Sequence, residues 1–466
     1  MGRKRRPPVA ASSTDAAVAV TRLGLGARPG EIGRVAHDPR GWALSQIRPE
    51  GAPQPADVLP TTDQRMSAFL AYQALTRQGD GADAEAAREA RQSARRAITE
   101  ETAEAFLVRA RHGATTDKGF AERWALFWAN ALTVSAVKFD SGAFVDPYER
   151  EAIRPNVFGR FEDLVVAAEQ HPAMLLYLDQ ARSTGPGSPA GTRRRIGLNE
   201  NLAREMLELH TVGADAGYTQ ADVTELARAL TGWSIPRPQD APGEPPFIFR
   251  ANVHEPGART VMGKTYPATR RASNRTQGET ILRDLARHPA TARRLSHRIA
   301  GHFVADDPPV ALVQRLEAAW TRSDGDLAQV ARALIEAPET WSPQPAKIKT
   351  PYEFLISAQR ALDAPPERIA PLRQTLTLLG QPPFAPPSPE GWPDTAEDWA
   401  GPDALVKRLN WARSAAQAAR LPDPALAARD ALGERLTERT RLAVSRAESR
   451  PEALTLLLMS PEFQRR

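Results

Sequence analysis

Cysteine is missing from all 466 residues. That excludes disulfides, thiolate metal sites and cysteine nucleophiles together. Lysine is scarce, with seven Lys against 54 Arg. No run approaches the ~20 apolar residues that a membrane-spanning helix needs, so no transmembrane segment is expected. The basic amino terminus does not read as a secretion leader, because Pro7, Pro8 and Asp15 interrupt its only mildly apolar run. The expected compartment is therefore the cytoplasm. A phosphate-binding loop, a dinucleotide fingerprint and a Gly-x-Ser-x-Gly elbow are also missing, so nucleotide use is not expected and no cofactor follows.

What is present describes a soluble globular chain, 41% hydrophobic and 25% charged. Its length exceeds what one core usually supports, which predicts two lobes. The net charge of +5 invites a nucleic-acid partner. The arginines, however, alternate with Asp and Glu along successive helices, and the only basic runs are Arg3–Arg6 and Arg193–Arg195. Nucleic-acid binding needs a concentrated patch and is not expected.

The pattern along the chain is mainly α, a multi-helix bundle-like architecture with one small β-hairpin or irregular insertion around 234–276. A disordered basic segment (1–15) precedes an N-terminal helical lobe (16–198). A central helical region (199–380) contains the insertion, and 381–466 holds a proline-rich strap and the closing helices. Residues 62–112 form a long Ala- and Arg-rich helical pattern broken near Gly79–Gly81. Phe120, Trp124, Phe127 and Trp128 make an aromatic stripe that reads as core, and Asn130 within it needs a partner if buried. His171-Pro172 and His288-Pro289 each end one helix and open the next, so these histidines read as connectors. In the insertion, Phe247–Phe249 and Thr260–Met262 are the strand-like runs of one β-hairpin. The strap closes on Gly391-Trp392-Pro393, and its Phe384 and Trp392 should pack against the body.

The richest stretch is NENLAREMLELHTVGADAGYTQADVTELARALTGW, from Asn199 to Trp233. Leu198, Leu202, Met206 and Leu209 fall on one arc of a helix, while Asn201, Glu205 and Glu208 share a neighbouring one. Thr219 and Asp222 form a capping-box pattern for a second helix that Gly232 ends. Polar groups crowd this hairpin and the His254-Glu255-Pro256-Gly257 turn that follows. Glu205, Glu208 and His254 are accordingly the catalytic candidates, since paired carboxylates can split their pKa values. Asn199, Asn201, Arg204, Asp222, Trp233 and Glu255 are candidate binding residues. Arg154 joins them, because Pro155 should push it out of the helical region. No metal site is expected: Glu205 and His210 stand five apart, about 140° round an α-helix, which matches no known helical ligand spacing.

The hairpin, with HEPGARTVMG, LARHPATARRL and the terminal SPEFQRR, resembles the bacterial family catalogued as domain of unknown function 1800. The resemblance runs from about Thr21 to the end of the chain. It implies a mostly helical protein and brings no activity or catalytic residues with it. It further implies a partner, a sulfatase-like protein often encoded nearby and frequently exported. Two readings follow. One is a helical binding or scaffolding protein acting with that partner. The other is a hydrolase-like enzyme, metal-assisted or not, using Glu and His around the hairpin. The first is preferred, because no catalytic spacing is present; the oligomeric state does not follow from the sequence.

Overall fold

Several helices in this chain begin where the sequence supplies an acceptor for their unpaired amides. The Thr219 hydroxyl accepts the Asp222 N–H at 3.3 Å, and the Asp222 carboxylate accepts the Thr219 N–H at 2.7 Å, opening Gln220–Leu230. Thr350 and Glu353 repeat this box at Pro351–Ala361. The two His-Pro connectors use imidazole instead. His171 Nδ1 accepts the Ala173 N–H at 3.2 Å and His288 Nδ1 accepts that of Ala290 at 3.1 Å, each with proline at the first helical turn. These rings thus serve the helix that follows them, where the sequence pattern had suggested the end of the one before.

The computed structural model describes residues 13–77, 84–194, 197–268, 275–365, 368, 371–420 and 423–466. The basic run at 3–6 and the expected break at Gly79–Gly81 lie outside them. The architecture is mainly α-helical, and two small antiparallel two-stranded sheets are present among the described residues. No helix among those residues is long and apolar enough to cross a membrane.

Apolar residues gather into two cores. The first is built round the aromatic stripe of helix Gly119–Ala131, where Trp124 stacks on Phe158 at 6.3 Å and Trp128 meets Phe161 at 5.5 Å. Phe303 and Trp320 complete it. Burying each such side chain contributes about 1.5–3 kcal/mol, so this box anchors the lobe. The second core joins Phe354 and Leu355 to Leu454, Leu457, Leu458 and Phe463 of the closing helices. Helix Ala84–Thr115 serves both: its Ile98 enters the first core, and Phe106 and Ala110 enter the second.

In the insertion, β1 (Trp233–Ser234) pairs with β2 (Ile248–Phe249), and β3 (Arg259–Val261) pairs with β4 (Lys264–Tyr266). Both strand-like runs of the sequence are strands, but each takes a different partner from the one expected. Met262 and Gly263 both have positive φ, 46° and 77°, which makes a tight hairpin turn directly after β3. Gly232, at φ 95°, sets β1 alongside β2, and its carbonyl accepts the Arg250 N–H at 2.8 Å.

Candidate functional site

The central hairpin departs from simple α-helical periodicity. Asn201–Glu205 is α-helical, but Met206–His210 is a π turn. Its i→i+5 bonding brings residues five apart to one side, which is why His210 acts electrostatically on Glu205 despite the ~140° that an α-helix would impose. His210 and Glu169 are both fully buried, with Nδ1 2.6 Å from Oε1. Glu205 is half-buried, and burial raises its carboxyl above the ordinary value; His210 opposes that and Glu208 adds to it.

The other candidates of this region have local partners. Glu208 accepts the Tyr218 hydroxyl at 2.6 Å and pairs with Arg204 at 3.5 Å. Arg204 also pairs with Glu200 and donates to Gln220. The Asn199 amide donates to the Leu178 and Asp179 carbonyls, and its oxygen accepts the N–H of Asn201, whose side chain is exposed. Asp222 reaches past its cap to accept the Met262 N–H at 2.7 Å. Trp233 is buried, edge-on to Phe247. His254 donates from Nδ1 to the Thr231 carbonyl at 2.7 Å, with its ring on Phe249, and burial lowers its pKa. Glu255 accepts the Gly187 N–H at 2.6 Å. The His254 loop therefore docks on the far end of the second helix through Thr231. Among the described residues no hydrogen bond joins Glu205, Glu208 and His254.

Arg154 stands apart from this hairpin. Its φ of −53° and ψ of −42° are helical despite Pro155, contrary to the expectation from sequence. The guanidinium holds both oxygens of Glu122 at 2.8 Å and reaches Glu149 at 3.1 Å, fully buried. That network outweighs the local steric preference.

A second constellation lies between the two cores, where a partly open cavity of about 120 Å³ is lined by Leu25, Phe106, Leu126, Val134, Val145 and Leu376. The proline-rich strap roofs it with Phe384 and Trp392. Backbone clamps hold the roof. Asn130, half-buried, accepts the Trp392 N–H at 2.8 Å and donates to its carbonyl at 3.0 Å, so its amide finds its partner in the strap. The Ala136 N–H donates to the Phe384 carbonyl, and the Ser135 hydroxyl to that of Pro386. Gly391, at φ 95°, passes so close that a Cβ would stand 2.5 Å from the Asn130 carbonyl oxygen. Only glycine fits that approach.

Polar atoms enter this apolar space at a few points. Arg109 donates from Nε to Glu149, and its guanidinium carbon lies 5.0 Å from the Tyr352 ring centre and 5.3 Å from that of Phe384. Burial opposes its charge, and Glu149, Tyr352 and Glu122 together outweigh that effect and raise its pKa. Its two Nη atoms have no hydrogen-bond partner among the described residues. The Tyr352 hydroxyl is buried and unpartnered, and burial pushes its pKa up. His302 Nδ1 lies 2.8 Å from Asp394 Oδ2. Burial raises the Asp394 carboxyl, but His302, Arg466 and Lys347 together pull it below the ordinary range, so it is an ionised acceptor and the imidazole proton sits on Nδ1. That leaves Nε2 with a lone pair and, though buried, no partner. Arg123 and Glu353 form a buried ion pair beside them, with Arg466 Nε 3.0 Å from the same carboxylate.

The family described as "Protein of unknown function (DUF1800)" matches residues 18–465. The chain belongs to this family. No curated protein and no solved structure matches this DUF1800 chain. The family description assigns no chemistry, so the cavity has to be read from its own atoms. His302, Asp394, Arg109 and Tyr352 were not singled out in the DUF1800 sequence. The signals that pointed toward them were the Gly391-Trp392-Pro393 strap and the unsatisfied Asn130. Among the described residues of this DUF1800 protein, no three His, Asp or Glu side chains gather to hold a metal ion.

Proposed function

We propose that this protein binds a small molecule, with an apolar body and one polar or anionic end, in the cavity between its two cores. One observation carries the reading: the recess is walled mainly by aliphatic and aromatic side chains, yet two residues on its lining, Tyr352 and His302, hold a buried hydroxyl and a buried Nε2 without a hydrogen-bond partner. Native proteins leave few buried polar atoms unsatisfied, and a mainly apolar recess with a few convergent polar groups suits a ligand. The test uses 1-anilinonaphthalene-8-sulfonate, which has an apolar ring system and one anionic group. Saturable binding to the full chain is expected, weakened at least tenfold in Leu126→Trp, which fills the recess, with the melting curve unchanged. Equal dye affinity in both proteins would count against the cavity as the binding site. A sulfatase-like partner, implied by the resemblance, fits a carrier of this kind.

The second reading is a hydrolase-like enzyme built on Glu205, Glu208 and His254. It is supported by the burial that keeps the Glu205 carboxyl above its ordinary value beside Glu208. It is the weaker of the two, because Glu208 and His254 are engaged by Tyr218 and Thr231.

A further inference from the structure

The Tyr352 hydroxyl and His302 Nε2 are buried behind the surface of the recess. The lining's polar atoms that keep accessible surface say what kind of head group it takes. Arg109 comes from helix Ala84–Thr115, and its side chain is 18% exposed. Glu149 holds its Nε edge, and the guanidinium lies against the Tyr352 and Phe384 rings. The fork formed by the two Nη atoms is left open, with no partner among the described residues. Gln381, on the strap, is oriented by the Tyr352 N–H, which its Oε1 accepts at 2.7 Å. A backbone N–H can only donate, so the Nε2 hydrogens of Gln381 point elsewhere, and they too are open and unpartnered. The Thr133 hydroxyl is a third open, unpartnered group, on a residue otherwise buried in the lining.

The acids on the lining are already matched. Glu149 is paired with Arg109 and Arg154, Glu353 with Arg123 and Arg466, and Asp394 with His302 and Lys347. An approaching cation therefore finds no unmatched carboxylate among the lining residues, whereas an acceptor finds free donors. Glu149 sits at the Nε edge of Arg109 and shares its charge with Arg154, so the Nη edge is left to an incoming acid. We infer that the ligand of this recess is a monocarboxylic acid with an apolar alkyl body, and that Arg109 and Gln381 select its carboxylate. The inference rests on the cavity reading above. A planar carboxylate matches the guanidinium fork bidentately, which a neutral amide or alcohol cannot do. Gln381 Nε2 and the Thr133 hydroxyl are the donors available to its remaining lone pairs. The alkyl body lies against Leu126, Val134 and Leu376.

The experiment is isothermal titration calorimetry of the full chain at pH 7 with hexanoate, hexanamide and hexylamine, which share one alkyl body. Hexanoate should bind at least about tenfold more tightly than hexanamide, the worth of one charge-assisted hydrogen bond, and hexylamine should give no binding heat. Gln381→Glu keeps an acceptor for the Tyr352 N–H and replaces the free donor with a carboxylate oxygen, so hexanoate affinity should fall at least about tenfold. Arg109→Met keeps a long side chain against the two rings and leaves Glu149 paired with Arg154; hexanoate should then bind no better than hexanamide. Melting curves check that both variants fold, and Gln381→Glu decides alone if Arg109→Met does not. Hexanamide or hexylamine binding as tightly as hexanoate, or hexanoate affinity unchanged in Gln381→Glu, overturns the carboxylate assignment and leaves the cavity reading standing. Dye binding at the recess without hexanoate binding does the same. Equal affinity of the wild type and Leu126→Trp for both hexanoate and the dye overturns the cavity reading itself.

Discussion

Replacing Arg154 with methionine should be among the most damaging single changes available to this fold, and its pH signature should be inverted. The guanidinium donates to both oxygens of Glu122 and to Glu149 in buried surroundings, and to the Pro53 carbonyl at a partly exposed edge. Methionine keeps much of the volume and removes every donor, so the Glu122 carboxylate loses its bidentate partner while fully buried, with His112 Nε2 left 3.2 Å away. Breaking one side of such a pair costs about 3–5 kcal/mol. In the wild type, burial pushes the Glu122 carboxyl up, but Arg154 and His112 win and hold it well below the ordinary range. Its contribution is thus fully present above the unfolded value of about 4.3 and fades as pH falls below that. Without Arg154, burial dominates and the folded-state pKa rises above the unfolded one. The variant should then regain stability, relative to the wild type, as pH is lowered from 7 toward 5. Urea unfolding at both pH values measures this directly. A variant within about 1 kcal/mol of the wild type at pH 7, the scale of an exposed ion pair, would refute the buried-pair reasoning. So would an unchanged difference between the two pH values.

Two further outcomes follow from the same kind of accounting. Gly391→Ala sets a Cβ 2.5 Å from the Asn130 carbonyl oxygen at a φ of 95°, a strain of about 1–3 kcal/mol. Faster hydrogen exchange at the Trp392 amide and weaker dye binding are expected, and unchanged exchange would show that the clamp is not needed. Glu205→Gln should match or exceed wild-type stability at pH 7, with the gap closing toward pH 4. A carboxyl whose pKa is raised on folding loses stability as pH rises through that value, and the amide does not. If this variant melts well below the wild type at pH 7, the charge is compensated by contacts beyond those described; if it keeps its stability but loses an activity, the hairpin reading gains.

Local signals were legible in the sequence, and long-range pairings were not. The Thr219–Asp222 box, the aromatic stripe and the helical character of the chain each depend on neighbours within one or two turns, and all three are present. The π turn at Met206–His210 escaped because periodicity assumes 3.6 residues per turn everywhere. The strands of the insertion were recognisable, but their pairing was decided by Met262 and Gly263 at positive φ, a property of backbone rather than of hydropathy. The cavity was the hardest to foresee. His302 and Asp394 are 92 residues apart, and Arg123 and Glu353 are 230 apart. Neither spacing carries any local pattern. Asn130 came nearest to revealing the site, since an amide set within an aromatic stripe calls for a polar partner and that partner proved to be the strap.

The roof over this recess is extended chain pinned at Asn130, Ser135 and Ala136, and its two rings differ in what they rest on. Phe384 stands edge-on to Phe106 and belongs to the packing of the second core, whereas Trp392 leans on Trp399 outside both clusters. Exchanging Phe384 therefore alters the shape of the recess and the support beneath it together, while Trp392 is the ring whose replacement reshapes the roof and leaves the two cores intact.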